Sequence, residues 1–118
     1  MTKILVLGFM GMLLAVGANA ATFSMATRGG KNFTMETSKD RVTSETTEFM
    51  LCGNDVQAVK RIKLWMPEHG HGSTPVQLGA LEDGCRVASR VNFTMPGNWE
   101  VRVELTDGDS GAFVVEVD

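Results

Sequence analysis

Several residue types are scarce in this chain. Its 118 residues include no tyrosine, three prolines, two cysteines and two histidines, and 11 Lys plus Arg stand against 14 Asp plus Glu, a net charge of −3. This acidic balance, with no basic patch in the sequence, argues against a nucleic-acid-binding protein. The hydrophobic fraction of 43% is that of an ordinary globular domain and excludes a disordered or collagen-like chain.

The longest apolar run lies at the N-terminus. It covers residues 4–16, shorter than the roughly 20 residues that span a bilayer, and it follows Lys3 and precedes the small residues Ala18 and Ala20. We therefore predict a secretory signal peptide over residues 1–20 and a mature domain over residues 21–118, and we regard a retained membrane anchor as the less favoured reading. The product is expected to be a bacterial periplasmic or secreted protein with no membrane span after cleavage.

Both cysteines, Cys52 and Cys85, belong to the predicted mature domain. Exported proteins fold in compartments where disulfides persist, so a Cys52–Cys85 disulfide is the expected state. The alternative is a pair of thiolate metal ligands, which the absence of a CxxC motif disfavours.

Alternating apolar and polar residues dominate the mature chain. Strands are predicted over residues 32–36, 47–52, 58–66, 76–81, 85–93, 99–105 and 112–117. About seven short strands without helical periodicity indicate an all-β fold, an immunoglobulin-like antiparallel β-sandwich. The polar segment 37–48 is either a solvated strand edge or a long loop.

The alternation also predicts faces and neighbours. In residues 85–93 it places Cys85, Val87, Val91 and Phe93 inward and Arg86 outward. The turn dipeptide at residues 96–97 is expected to join this strand to residues 99–105 as antiparallel neighbours.

Both histidines of the chain lie in one glycine-rich stretch, residues 64–72. In an extended backbone, His69 and His71 would project to the same side about 6.5 to 7 Å apart, close enough to share an ion. Met66 and Glu68 add a thioether and a carboxylate, and Met95 lies at the end of another predicted strand. Imidazole with thioether donors favours copper, whereas zinc would prefer a third histidine or a carboxylate. We therefore expect a copper-ion site formed by Met66, Glu68, His69, His71 and Met95.

Two other readings of this stretch stay open. The histidines could be structural, donating hydrogen bonds to loop carbonyls at one end of the sandwich. The loop could also form a surface for a partner protein. Neither serine near a histidine or aspartate lies in a nucleophile elbow, so we expect no enzymatic activity. The oligomeric state is not specified by the sequence.

Two motifs in this order resemble the YtkA-like domain, a relative of the FixH group. They are MPEHGHG at residues 66–72 and VNFTMPGNWEV at residues 91–101. The resemblance covers residues 32–117 and implies an immunoglobulin-like β-sandwich in exported or membrane-tethered bacterial proteins. Some such domains occur near copper handling or haem–copper oxidase assembly, which agrees with the expected ion.

Overall fold

A computed structural model describes residues 20–118 of the chain. The predicted signal peptide, apart from Ala20, lies outside the described residues. Nine strands are formed within the described part: β1 (Ala21–Ala26), β2 (Asn32–Thr37), β3 (Phe49–Cys52), β4 (Val59–Met66), β5 (His71–Gly72), β6 (Gln77–Glu82), β7 (Cys85–Ser89), β8 (Gly97–Leu105) and β9 (Ser110–Val117). A short 3-10 turn, Val56–Ala58, precedes β4.

The strands form two antiparallel sheets that pack face to face. One sheet has five strands in the order β1-β2-β3-β7-β6, and the other has four in the order β9-β8-β4-β5. The predicted all-β sandwich is confirmed. The two strands that the periodicity did not predict are β1 and the two-residue β5.

Alternation along the strands supplies the core between the sheets. On β8, Trp99, Val101 and Val103 are fully buried, and the residues between them face outward. Phe33 and Leu51 face them from the five-stranded sheet. Complete burial of an aliphatic or aromatic side chain of this size contributes roughly 1.5 to 3 kcal/mol, so these facing rows are the main source of stability.

The predicted faces of residues 85–93 are wrong in their first half. Val87 is 42% exposed, whereas Ala88 is fully buried. Arg86 pairs with buried Leu51 and shares the inner face with Ala88. The alternation breaks at Arg90, whose φ of 59° reverses the phase so that the residues after it return to the core.

The predicted pairing of residues 85–93 with residues 99–105 is also wrong. β7 lies in the five-stranded sheet between β3 and β6, whereas β8 pairs with β4 and β9 in the other sheet. Residues 90–96 therefore cross from one sheet to the other instead of closing a hairpin. The last two strands, β8 and β9, pair as antiparallel neighbours along the whole of β9.

Of the two predicted alternatives for segment 37–48, the structure shows a long loop, which begins after Thr37. A parallel bridge between Val42 and Val117 ties the loop to the four-stranded sheet, and Val42 is buried. The loop is therefore anchored at its middle and solvated on either side.

The predicted disulfide is present. Cys52 and Cys85 are paired residues on the adjacent strands β3 and β7, with Cα atoms 4.1 Å apart. A disulfide of this kind indicates an oxidising, extracytoplasmic compartment. Across residues 20–118, none of the helical structure has the length and apolar character that a bilayer crossing requires.

Candidate metal centre

A tight hairpin between β4 and β5 presents the histidines. The backbone N–H groups of His69 and Gly70 both donate to the carbonyl of Met66, at 3.2 and 2.9 Å. Pro67 has the φ preferred at the second position of such a turn, and Gly70 adopts the left-handed conformation with a φ of 64°. The chain is thereby reversed so that His71 pairs directly with Met66.

His71 lies on β5, the edge strand of the four-stranded sheet, and its side chain projects from the inward face. Paired residues of antiparallel strands project to the same face, so its imidazole lies beside the fully buried Met66. The ring also contacts Trp99 edge to face, with centroids 5.7 Å apart. The sulfurs of Met66 and Met95 both lie near His71.

One ring nitrogen of His71 already has a partner. Nδ1 lies 3.1 Å from the carbonyl oxygen of Gly72, where a protonated nitrogen donates. The proton then stays on Nδ1 and the lone pair of Nε2 remains available. Metal-binding histidines are commonly held in this way, with one nitrogen on a carbonyl and the other on the ion.

Met95 reaches the site from the crossing segment. The indole Nε1 of Trp99 donates to the carbonyl of Met95 at 2.9 Å, which fixes the backbone of Met95 over the end of β8. Phe93 packs edge to face on the same indole, with centroids 5.5 Å apart. Trp99 therefore positions both His71 and Met95.

His69 lies at the rim of this cluster and is exposed to solvent. Its ring centroid is 6.0 Å from that of His71, with an angle of 38° between the ring planes. The predicted proximity of the two rings assumes an extended backbone over residues 69–71. In the structure the hairpin turn produces it, because residue 69 lies in the turn and residue 71 in the strand.

Glu68 is exposed on the same turn. A Cβ atom placed on Gly97 would lie 3.8 Å from its carboxylate Oε1 and 2.5 Å from Cε of Met66. Gly97, with a φ of 134°, thus leaves room for the Met66 methyl group and keeps the start of β8 close to the hairpin. The exposed Glu68 carboxylate therefore lies beside Gly97 at the start of β8.

Within residues 20–118, no three His, Cys, Asp or Glu side chains lie close enough together to hold a metal ion. The two cysteines are joined in the disulfide, so the alternative reading of them as thiolate ligands is excluded. The donors around His71 are one imidazole nitrogen and two thioethers, with a second imidazole at the rim. Such a set is soft and suits copper.

Comparisons with protein-family models, curated proteins and solved structures find no match.

Sequence reasoning missed a polar cluster that joins the two sheets at the other end of β8. Asp109 accepts hydrogen bonds from the Thr27 hydroxyl at 2.6 Å and from the backbone N–H groups of Gly29 and Ser110 at 3.0 and 2.8 Å. These bonds, led by the Thr27 hydroxyl, lower the pKa of Asp109 below its ordinary value. The turn composition at residues 107–111 was the only sign of it in the sequence.

Lys31 completes this cluster. Its ammonium lies 2.7 Å from the carboxylate of Asp107, and this hydrogen bond lowers the pKa of Asp107 and raises the pKa of Lys31. An open cavity of about 600 Å³ beside the cluster is lined by charges of both signs, including Arg28, Lys60 and Asp109. The cavity is separate from the histidines, and the cluster holds the β1–β2 and β8–β9 turns together.

Proposed function

We propose that this protein is an exported copper-binding domain that buffers or delivers the ion. The observation that carries the proposal is the position of His71, whose Nδ1 is taken by the Gly72 carbonyl and whose ring lies near the sulfurs of Met66 and Met95. Nε2 and the two sulfurs would be the ligands. His69, whose ring centroid lies 6.0 Å from that of His71, would contribute from the rim.

The surroundings favour copper over zinc. Met66 and Trp99 are fully buried, and Met95 packs against the core, so the donors lie at a largely apolar end of the sandwich. Thioether sulfur binds copper well, whereas magnesium, calcium and manganese prefer oxygen donors and zinc sites are built from Cys, His and carboxylates. Among His71, Met66 and Met95, only His71 has a donor that zinc prefers.

The chain provides its own optical probe. It has two tryptophans, so a Trp65→Phe background leaves Trp99, in contact with His71, as the single fluorophore. Titration of this mature protein with Cu(I) under anaerobic conditions should quench its fluorescence to an end point at one equivalent. His71→Ala should abolish the stoichiometric phase, and Met50→Leu, a methionine of the other sheet, should leave it unchanged.

Two results would refute the assignment. Equal stoichiometric quenching in the His71→Ala protein would place copper elsewhere, and the absence of saturable binding in the wild-type protein at micromolar concentrations would reject copper binding. Circular dichroism of each variant verifies that the sandwich remains folded.

A structural role for His71 is the second candidate. Its hydrogen bond to Gly72 and its contact with Trp99 are also what a histidine that closes the end of a sandwich would make. In that case His71→Ala would lower the unfolding midpoint while neither protein binds copper, and the exposed hairpin would remain available for a protein partner.

We also propose that the chain is a YtkA-like domain of the bacterial periplasm or of the secreted fraction. The two motifs behind this resemblance meet in space, since Met66 and His71 come from one and Met95 and Trp99 from the other. Removal of residues 1–20 on export, measured by mass spectrometry of the periplasmic protein, tests the location. Retention of the intact N-terminus in a cytoplasmic fraction would contradict it.

A further inference from the structure

We infer that a cleft on one side of the sandwich, the lateral cleft, binds an organic anion that carries a carboxylate or phosphate group on a short apolar body. The lateral cleft is an open cavity of about 530 Å³ where β4 of one sheet meets β6 of the other. It is lined by Lys60, Arg61, Val76, Leu78 and Arg86. The inference goes beyond copper binding and does not depend on the histidine hairpin.

The arrangement of the strands leaves this side of the sandwich open. β6 is the edge strand of the five-stranded sheet, and β5 pairs only with Trp65 and Met66 at the end of β4. The earlier part of β4 therefore has no neighbouring strand on that side within residues 20–118. A concave opening between two sheets gives a small molecule access to side chains that point towards the interior.

Arg86 is the most buried of the three cationic residues that line the lateral cleft. Its Nε donates to the Gly79 carbonyl at 2.7 Å, and its Nη1 donates to the Val59 carbonyl at 3.1 Å. The guanidinium thus bridges the two sheets. Within residues 20–118 its other terminal nitrogen, Nη2, makes no hydrogen bond. The N–H groups of Nη2, held in a fixed plane, are therefore available to an oxyanion.

A β-bulge adds positive charge beside this guanidinium. The pairing of β4 with β8 shifts between Val59 and Arg61, so Lys60 is an extra residue next to Arg61. Arg61 forms an ion pair with Glu104 at 3.1 Å. Neither Lys60 nor Arg86 forms an ion pair in the described part of the chain. The lateral cleft of this acidic protein thus has two unpaired cations and no acidic residue in its lining.

The lining determines the class of ligand. A guanidinium binds carboxylates and phosphates through paired N–H groups, and an ammonium adds a point charge on a flexible stem. Val76 and Leu78 are half-buried and pack against the core beside these cations. An inorganic anion would leave that apolar surface in water, whereas the hydrocarbon part of an organic anion would cover it. A short alkyl carboxylate or alkyl phosphate matches both the cations and the apolar surface.

The first test compares anions that share a head group and differ in chain length. The mature protein is titrated with acetate, octanoate and octylammonium below their micellar concentrations, and binding is followed by amide NMR shifts. Octanoate should bind about tenfold or more tightly than acetate, a gain that burial of about two methylene groups would supply. Octylammonium should cause no saturable shift. Octyl phosphate should likewise bind more tightly than inorganic phosphate, and the tighter of the two alkyl series identifies the preferred head group.

The second test uses matched lysine variants. Lys60→Gln should weaken octanoate binding by about threefold or more, because it removes an unpaired cation from the lateral cleft. Lys63→Gln is the control, since Lys63 is exposed on the same strand and outside the lining, and its effect should stay below about twofold. Arg86→Lys keeps the charge but removes the planar set of donors, and it should weaken binding by about tenfold. If Arg86→Lys unfolds, the comparison of the two lysines still decides.

Four results would overturn the inference. The first is the absence of saturable binding of octanoate and octyl phosphate at millimolar concentrations. The second is equal affinity for octanoate and octylammonium, which would indicate apolar contact alone. The third is equal affinity for octanoate and acetate, which would exclude the apolar surface from the site. The fourth is an equal effect of Lys60→Gln and Lys63→Gln, which would indicate attraction by the general surface charge.

Discussion

Replacing both Cys52 and Cys85 with alanine should lower the free energy of unfolding by about 3.7 kcal/mol. The magnitude follows from the 33-residue separation of the two cysteines, because a cross-link removes loop entropy from the unfolded chain as the logarithm of loop length. β3 and β7 pair through their backbones along the whole of Phe49–Cys52, so the folded sheet should survive without the bond. The lower stability is therefore expected to come from the greater entropy of the unfolded chain and not from a change in the folded sheet.

Urea unfolding followed by Trp fluorescence measures this change. For a domain of this size the dependence of stability on urea is about 1 to 2 kcal/mol per M, so the midpoint should fall by roughly 2 to 4 M. Wild-type protein unfolded in excess dithiothreitol should reproduce the midpoint of the double variant. Circular dichroism without urea should remain that of a β-sandwich.

A midpoint shift below about 0.5 M would refute the reasoning, because the loop entropy would then be offset elsewhere. Loss of the β-sheet circular dichroism spectrum without denaturant would also refute the reasoning, because the effect would then be larger than loop entropy explains. In that case the disulfide would be required for the sheet to form.

Three further changes test other parts of the structure. Acid should destabilise the protein, because the lowered pKa of Asp109 contributes stability that is complete above the ordinary carboxyl pKa and is lost as the pH falls through the pKa of the folded state. In Asp109→Asn the pH dependence of the urea midpoint should therefore flatten. In Asp107→Asn it should flatten less, because the Asp107 carboxylate has fewer hydrogen-bond partners. Gly97→Ala should lower the free energy of unfolding by about 1 to 3 kcal/mol, measured by thermal unfolding, because a φ of 134° strains any residue with a side chain. It should also weaken Cu(I) binding, because the added Cβ would displace the Met66 methyl group. An unchanged thermal midpoint would contradict this prediction. Arg86→Met should lower the free energy of unfolding in urea by about 1 to 3 kcal/mol, because it removes the donor from the part-buried carbonyls of Gly79 and Val59. A loss under about 0.5 kcal/mol would show that water replaces the guanidinium at those carbonyls.

Most of the strands, though not their arrangement in sheets, could be predicted from local patterns. Strand β8 alternates strictly from Trp99 to Leu105, and its burial follows that alternation residue by residue. In β7 the same rule fails, because the inner face holds Arg86, whose guanidinium donates to the carbonyls of Gly79 at 2.7 Å and Val59 at 3.1 Å. From the sequence alone, a charged residue whose donors are hydrogen-bonded to backbone carbonyls cannot be distinguished from a charged residue on the surface.

The site was only partly accessible to sequence reasoning. The spacing of His69 and His71 suggested a shared ion, but their proximity depends on the turn that Pro67 and Gly70 permit. The approach of Met95 to Met66 and His71 depends on the crossing of residues 90–96 between the sheets, which brings distant parts of the chain together, and on a local hydrogen bond from Trp99 that holds the Met95 backbone. Residue spacing along one strand carries no information about such contacts.

The histidine hairpin is joined to the body of the sheet by two residue pairs, Trp65 with Gly72 and Met66 with His71. Detaching so short an edge costs far less free energy than melting the two sheets, so it defines a separate, low-energy opening. Under the proposed copper-binding function, the dwell time of the ion would be governed by how often the histidine hairpin detaches. Core substitutions that leave the hairpin intact would change the thermal midpoint of the fold without changing the dissociation rate of that ion.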